Sequence, residues 1–351
     1  MTAATPAATD VSDLDAPDLD ADARTNAAWH TRFSRDEIQE LVHVESWRGW
    51  LSIGIDWAVI AAAFALVAAW PNPLTVLAAF FLIGARQLGL AVLMHEASHR
   101  TLLADKRWND FAGNWLCAYP IWTDLHAYRP YHLQHHAKNW TQDDPDIGLV
   151  LPFPITRGSL RRKIWRDLSG QTGRKFLRGA WKRSIARWRA GDANGRRAFV
   201  GFAVTNALLF ALLAATGHAW LYAIWAGAWL TTHTLVTRIR AIAEHAMIPD
   251  PSDPLRNTRT TIPAWWERLL IAPNRVNYHL EHHLLMTVPH YKLPRLHRLL
   301  GERGLLDGAC ITHGYADVLR RAASKPEVSG SSCDGEPASA DRERSVRVPP
   351  F

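Results

Sequence analysis

The sequence predicts an all-α integral membrane protein: four transmembrane helices in two hairpins, with a cytoplasmic helical cap. Three observations carry that expectation. Four apolar runs, at residues 51–70, 74–94, 198–216 and 220–236, pair across short turns. A basic stretch lies between the pairs. Three histidine clusters lie outside the runs, on the side to which two double crossings would return the chain.

Composition sets wide bounds. The chain has 351 residues and a formal net charge of +7, enough for one to three domains. A mean hydropathy of -0.14 looks soluble, but apolar and charged stretches are segregated. Three cysteines, Cys117, Cys310 and Cys333, form no C-x-x-C pair and no disulfide framework. Seventeen tryptophans favour membrane–water interfaces. A basic excess can address nucleic acid; here apolar spans flank the basic run, which favours a membrane surface.

In chain order, residues 1–27 are Ala, Asp, Thr and Pro and read as a solvated, disordered acidic tail. They lack the basic and apolar regions of a signal peptide. Ser34-Arg35-Asp36-Glu37 is a helix start, with Ser at the cap and acids in the first turn. Trp47 and Trp50 sit where an interfacial belt would. The first two runs, each long enough to cross a ~30 Å hydrocarbon core, are separated by Pro71-Asn72-Pro73. Asp56 and Arg86 lie at comparable depth in them, where lone charges are costly, and are expected to pair. Residues 111–122 are apolar but too short to cross, so an interfacial or re-entrant helix is expected.

Arg157 to Arg197 holds fourteen Lys or Arg against Asp167 and Asp192, with Trp165, Trp181 and Trp188 interleaved. This pattern fits an amphipathic helix beside anionic lipid. By the positive-inside rule it places the loop, the histidine clusters and both termini in the cytoplasm. Gly217-His218-Ala219 joins the last two runs. Pro249 to Pro263 reads as a polar loop, 265–270 as helix, and Pro294 to Gly304 as a basic amphipathic helix. Residues 28–321 form the membrane-bound domain, and 322–351 a second disordered tail.

The clusters are His95-Glu96-Ala97-Ser98-His99, His132-Leu133-Gln134-His135-His136 and His279-Leu280-Glu281-His282-His283. Residues three and four apart share a helix face, so each cluster projects its imidazoles together. Imidazole suits iron, copper, zinc and nickel. Eight nitrogens are about twice what a tetrahedral zinc site takes, and suit two metals with open positions. H-E-x-x-H alone also fits a zinc peptidase, which leaves both H-x-x-H-H clusters unexplained. A His-rich metal transporter or sensor is the non-enzymatic alternative. His245, just past the fourth run, is a candidate ninth ligand. The acids of Asp143-Asp144-Pro145-Asp146 are candidates to hold imidazole N–H groups, or else form a polar turn set by Pro145.

These motifs, HEASH, HLQHH with DDPD after it, and NRVNYHLEHH followed by Pro289 and a basic helix, resemble the membrane fatty acid desaturase superfamily over residues 50–300. The resemblance implies a di-iron centre held by His95, His99, His132, His135, His136, His279, His282 and His283, with O2 as co-substrate. Members commonly add a histidine after the last span, which His245 matches. Some carry Asn four residues before it, where this chain has Ala241. His279 leads the third box, where front-end desaturases have Gln. No H-P-G-G haem segment and no Gly-rich dinucleotide fingerprint is present, so electrons are expected from a separate donor, ferredoxin or a cytochrome with its reductase. The implied reaction is desaturation of a fatty acyl or acyl-lipid chain. Hydroxylation of an acyl lipid or carotenoid is the alternative, because both outcomes share the first hydrogen removal.

Overall fold

The computed structural model describes residues 29–326. The N-terminal tail and most of the C-terminal tail lie outside the described residues. The first helix, α1 (Arg35–Val42), begins at the expected place. Ser34 and Glu37 form a reciprocal capping box there.

A hairpin of two long helices, α2 (Ser46–Ala69) and α3 (Pro73–Ser98), follows. The turn is built by its sequence: Asn72 caps the Leu74 and Thr75 amides, and Pro73 takes the first helical position. On α2 only one stripe is buried, including Ile53, Ile60, Phe64 and Val67; Leu51 and Ile55 are exposed. On α3 nearly every side chain from Ile83 to Ser98 is buried, so α3 is the central post of the molecule. Both helices extend beyond the expected runs, and α3 carries His95 at its end.

Asp56 and Arg86 pair as expected, at 3.0 Å and both buried. The structure extends the pair into a network. Arg86 also donates to the Leu269 carbonyl. Asn274 donates to Asp56 at 2.7 Å and to the Gly89 carbonyl at 3.0 Å. Asn274 and Arg275 have positive φ, 50° and 61°. The loop that leads into the third histidine cluster is thereby fastened to both helices of the first hairpin.

The apolar stretch after the first cluster does not form one long helix. It runs as α4 (Lys106–Ala112), a π turn (Gly113–Ala118) and a 3-10 turn (Tyr119–Ile121). Buried Asn109 and Asn114 bond the Ala97 carbonyl and the Leu125 amide, satisfying backbone groups at each end. Next is α5 (Leu125–Lys138), capped by Asp124. The basic stretch forms α6 (Arg157–Leu168) and α7 (Gln171–Arg189). Trp165, Trp181 and Trp188 are exposed on them. Asp167 is buried and bonded to Arg238, so α6 is anchored to the helix that follows the third long one.

The third long helix is α8 (Ala193–Ala215). Among the described residues three helices are long and apolar enough to cross a membrane: Arg35–Ala69, which contains α2, then Pro73–Ser98 and Ala193–Ala215. The fourth expected run is helical but divided into α9 (Leu221–Ala228), a π turn (Trp229–His233) and α10 (Thr234–His245). It continues past 236, and its second half carries Thr237, Arg238 and Arg240.

One departure from an all-helical chain is a small parallel sheet, β1 (Thr260–Ile262) with β2 (Ile311–His313). Three-residue strands are too short for alternation to register in sequence, and β1 lay inside an expected loop. The later helices of six residues or more are α11 (Trp265–Leu270), α12 (His279–Leu284), α13 (Leu293–Glu302) and α14 (Tyr315–Ala322). The chain after α14 still bonds the body through the Lys325 amide and the Ile155 carbonyl.

Candidate metal centre

Four helix segments deliver the histidines. The end of α3 supplies His95 and His99, α5 supplies His132, His135 and His136, the last residue of α10 is His245, and α12 supplies His279, His282 and His283. The structure brings all nine together. His95, His99, His132, His136 and His282 form one group; His135, His245 and His283 form a second. His279 joins the second through His245, with their Nε2 atoms 2.8 Å apart. In the first group Nε2 of His132 lies 2.9 Å from that of His99 and 3.0 Å from that of His136. His282 Nε2 is 3.1 Å from His136 Nε2. The groups adjoin: the His136 and His283 rings stack at 4.2 Å.

Electrostatics disfavour the charged form of six of these rings. Burial pushes His132, His136, His245, His279, His282 and His283 well below the ordinary imidazole value, and neighbouring imidazoles push further. Neutral imidazole is the ligand form. His95 Nε2 and His283 Nε2 are buried without a hydrogen-bond partner. Two buried ring nitrogens without a partner, among others that face only further imidazoles, fit cations better than a self-contained network.

Carboxylates behind the rings set their orientation. Asp144 lies 2.8 Å from His135 Nδ1 and is itself held by the Trp140 and Asp146 amides. The second of the two expectations for the DDPD stretch, a bare polar turn, is therefore not its whole role. Glu244 lies 3.6 Å from His279 Nδ1 and is paired with Arg240. Burial raises Glu244 to about 7, against the pull of Arg240. Neither residue was singled out from sequence, although Glu244 adjoins His245 and was the available signal. Glu96 accepts from the His290 amide at 2.8 Å and from the Thr101 hydroxyl at 3.0 Å. It is occupied as a brace rather than open as a peptidase base.

Over residues 71–313 the chain matches the profile of fatty acid desaturases. It belongs to the fatty acid desaturase family. Members of this family use iron, and the all-imidazole donor set here suits that metal. The chain is 28% identical over 285 residues to dihydrorhizobitoxine desaturase of Bradyrhizobium elkanii, across 76% of this chain and 80% of that one. It is 26% identical over 261 residues to sn-1 oleoyl-lipid 12-desaturase of Anabaena variabilis, across 67% and 68%. Family membership makes the chain an oxidoreductase, and a cavity lies beside the imidazoles. Leu88, Met94, Ile121, Phe176 and Trp229 line an apolar chamber. Tyr128, Thr237 and Arg240 also line it, and the same three line a smaller space bordered by His132, His135, His245 and His279.

Proposed function

We propose that the protein is an O2-dependent di-iron desaturase that introduces a double bond into a hydrocarbon chain. The observation that carries this reading is the convergence of nine imidazoles into two adjoining groups. His95, His99, His132, His136 and His282 would hold one iron; His135, His245, His279 and His283 would hold the other. With Ala241 in place of a polar residue, His245 and His279 complete the second set directly. When bound, the iron pair supplies the oxidising power for an unactivated C–H bond.

The reaction balances as CH2–CH2 plus dioxygen, two electrons and two protons, giving CH=CH and two waters. The chain's own residues do the rest. Asp144 fixes the tautomer and direction of His135. Tyr128, Thr237 and Arg240 form the wall between the chamber and the imidazoles, and the apolar lining excludes water from the bond being oxidised. Electrons come from a separate donor, ferredoxin or a cytochrome with its reductase. The interrupted helix serves as the fourth crossing over residues 220–236, pairing with α8 as α2 pairs with α3, and its remainder to His245 lies beyond the membrane. The basic α6 and α7 then hold the centre and both termini on the cytoplasmic side.

The test is expression in a host, with mass spectrometry of its lipids beside those of a His135→Ala host. Expected are products short of two hydrogens, absent with the variant, and about two irons per chain. Products that have gained an oxygen would instead make the enzyme a hydroxylase; the desaturase names of both relatives favour the double bond. One zinc per chain would revive the peptidase. Unchanged lipids with altered metal uptake would favour a transporter.

A further inference from the structure

The interrupted helix presents a polar stripe to the chamber. His233, Thr237, Arg240 and Glu244 are spaced i, i+4, i+7 and i+11, so they share one face. The stripe starts where the π turn ends, at His233; single π turns recur at functional sites. His233, Thr237 and Arg240 line the apolar chamber. Thr237, Arg240 and Glu244 line the space against the imidazoles. The chamber is thus apolar over much of its wall and polar at the end nearest the centre.

Three groups on this stripe lack full partners. His233 Nδ1 and Thr237 Oγ1 are buried with no hydrogen bond. Arg240 gives its Nε to Glu244, and among the described residues its two terminal nitrogens donate to nothing. Arg238, two residues earlier, differs: its Nε and Nη2 both engage Asp167. One guanidinium already grips a carboxylate with two nitrogens, and the other keeps its terminal nitrogens open toward the chamber. A bare alkyl chain seated there would leave these groups unpaired and would desolvate the guanidinium, which is unfavourable. A planar acceptor matches an open guanidinium fork.

We propose that the substrate carries a carboxylate or carbonyl seated on Arg240 and Thr237, so that the bond oxidised lies a few bonds from that group. The inference rests on the desaturase reading and keeps its balance: two hydrogens leave the substrate, and dioxygen and a two-electron donor are consumed. A long unsubstituted chain entering tail-first, with its reactive methylenes far from any polar group, does not complement this wall.

The experiment uses the full chain, iron-loaded, in detergent micelles. Hexanoate and 1-hexanol are titrated by calorimetry into the unaltered protein, Thr237→Val and Arg240→Gln, with iron content and melting temperature as folding controls. Expected is hexanoate binding at least about tenfold tighter than hexanol. Thr237→Val, equal in shape, weakens hexanoate several-fold at unchanged iron content, and Arg240→Gln abolishes the preference. Equal affinities for the two probes, or a preference that survives both substitutions, overturns the inference. A second arm compares aqueous and organic extracts of expressing and His135→Ala hosts. New unsaturation beside a carboxylate or carbonyl supports it. Unsaturation only in mid-chain of long acyl lipids overturns it and leaves the desaturase intact. No dehydrogenated species in either phase overturns the desaturase reading itself.

Discussion

At the scale of single residues, the centre depends on groups that would never touch a metal. Asp144 illustrates this. It accepts from two backbone amides and faces His135 Nδ1 at 2.8 Å, so the ring is held with its other nitrogen toward His245 and His283. Asn at this position keeps the shape but exchanges an anionic acceptor for a neutral one. Asp144→Asn is therefore expected to weaken iron retention by about 10–100-fold, read as iron bound after dialysis against graded chelator. Undiminished retention would reduce Asp144 to a loop brace. Glu96 braces in a different way: it ties the end of α3 to the His290 amide beyond the third box, linking two clusters through protein rather than through metal.

At the scale of elements, the decisive contacts are between α3 and what crosses it. A Cβ on Gly84 would lie 2.2 Å from the Thr232 hydroxyl, and the Thr232 hydroxyl reaches the Phe80 carbonyl. The π turn of the interrupted helix is therefore seated directly against α3. Asp56 and Arg86 secure the other side, where Asn274 and the Leu269 carbonyl attach the loop leading to α12. Removing one member of a buried pair strands the other, at about 3–5 kcal/mol. A double-mutant cycle of Asp56→Asn and Arg86→Gln, followed by thermal melting, is expected to show strong coupling, with iron lost alongside stability because the third cluster shifts. Additive single effects would mean that each charge is satisfied separately.

At the scale of the whole molecule, the parts legible in sequence were those with a period. Twenty-residue apolar runs, i, i+3, i+4 histidines and the Ser34 cap all repeat at the spacing of a helix, so the long helices, the convergence and the Asp56–Arg86 pair could be anticipated. What stayed hidden lacks a local signature. A π turn inserts one residue into an otherwise continuous helix. Thr260–Ile262 finds its strand partner some fifty residues away. Glu244 and Arg240 acquire a role only because α10 ends beside α12. Gathering so many neutral imidazoles has a global consequence. His132, His136, His245, His279, His282 and His283 are all held below the usual value of about 6.5. Below that pH the unfolded chain binds more protons than the folded one, so their contribution to stability is complete above it and is lost on acidification. Glu244, raised to about 7, works in the opposite sense, but as one carboxyl against six rings. Chelator-stripped protein is thus expected to hold a steady melting temperature from pH 8 to 7 as far as the six rings decide it, and to lose stability steeply from about pH 6.5 downward. Iron should raise the melting temperature throughout and most at neutral pH, since ligands must shed protons to bind. A stripped protein whose melting temperature is indifferent to pH between 7 and 5 would mean that the rings are open to water rather than packed together.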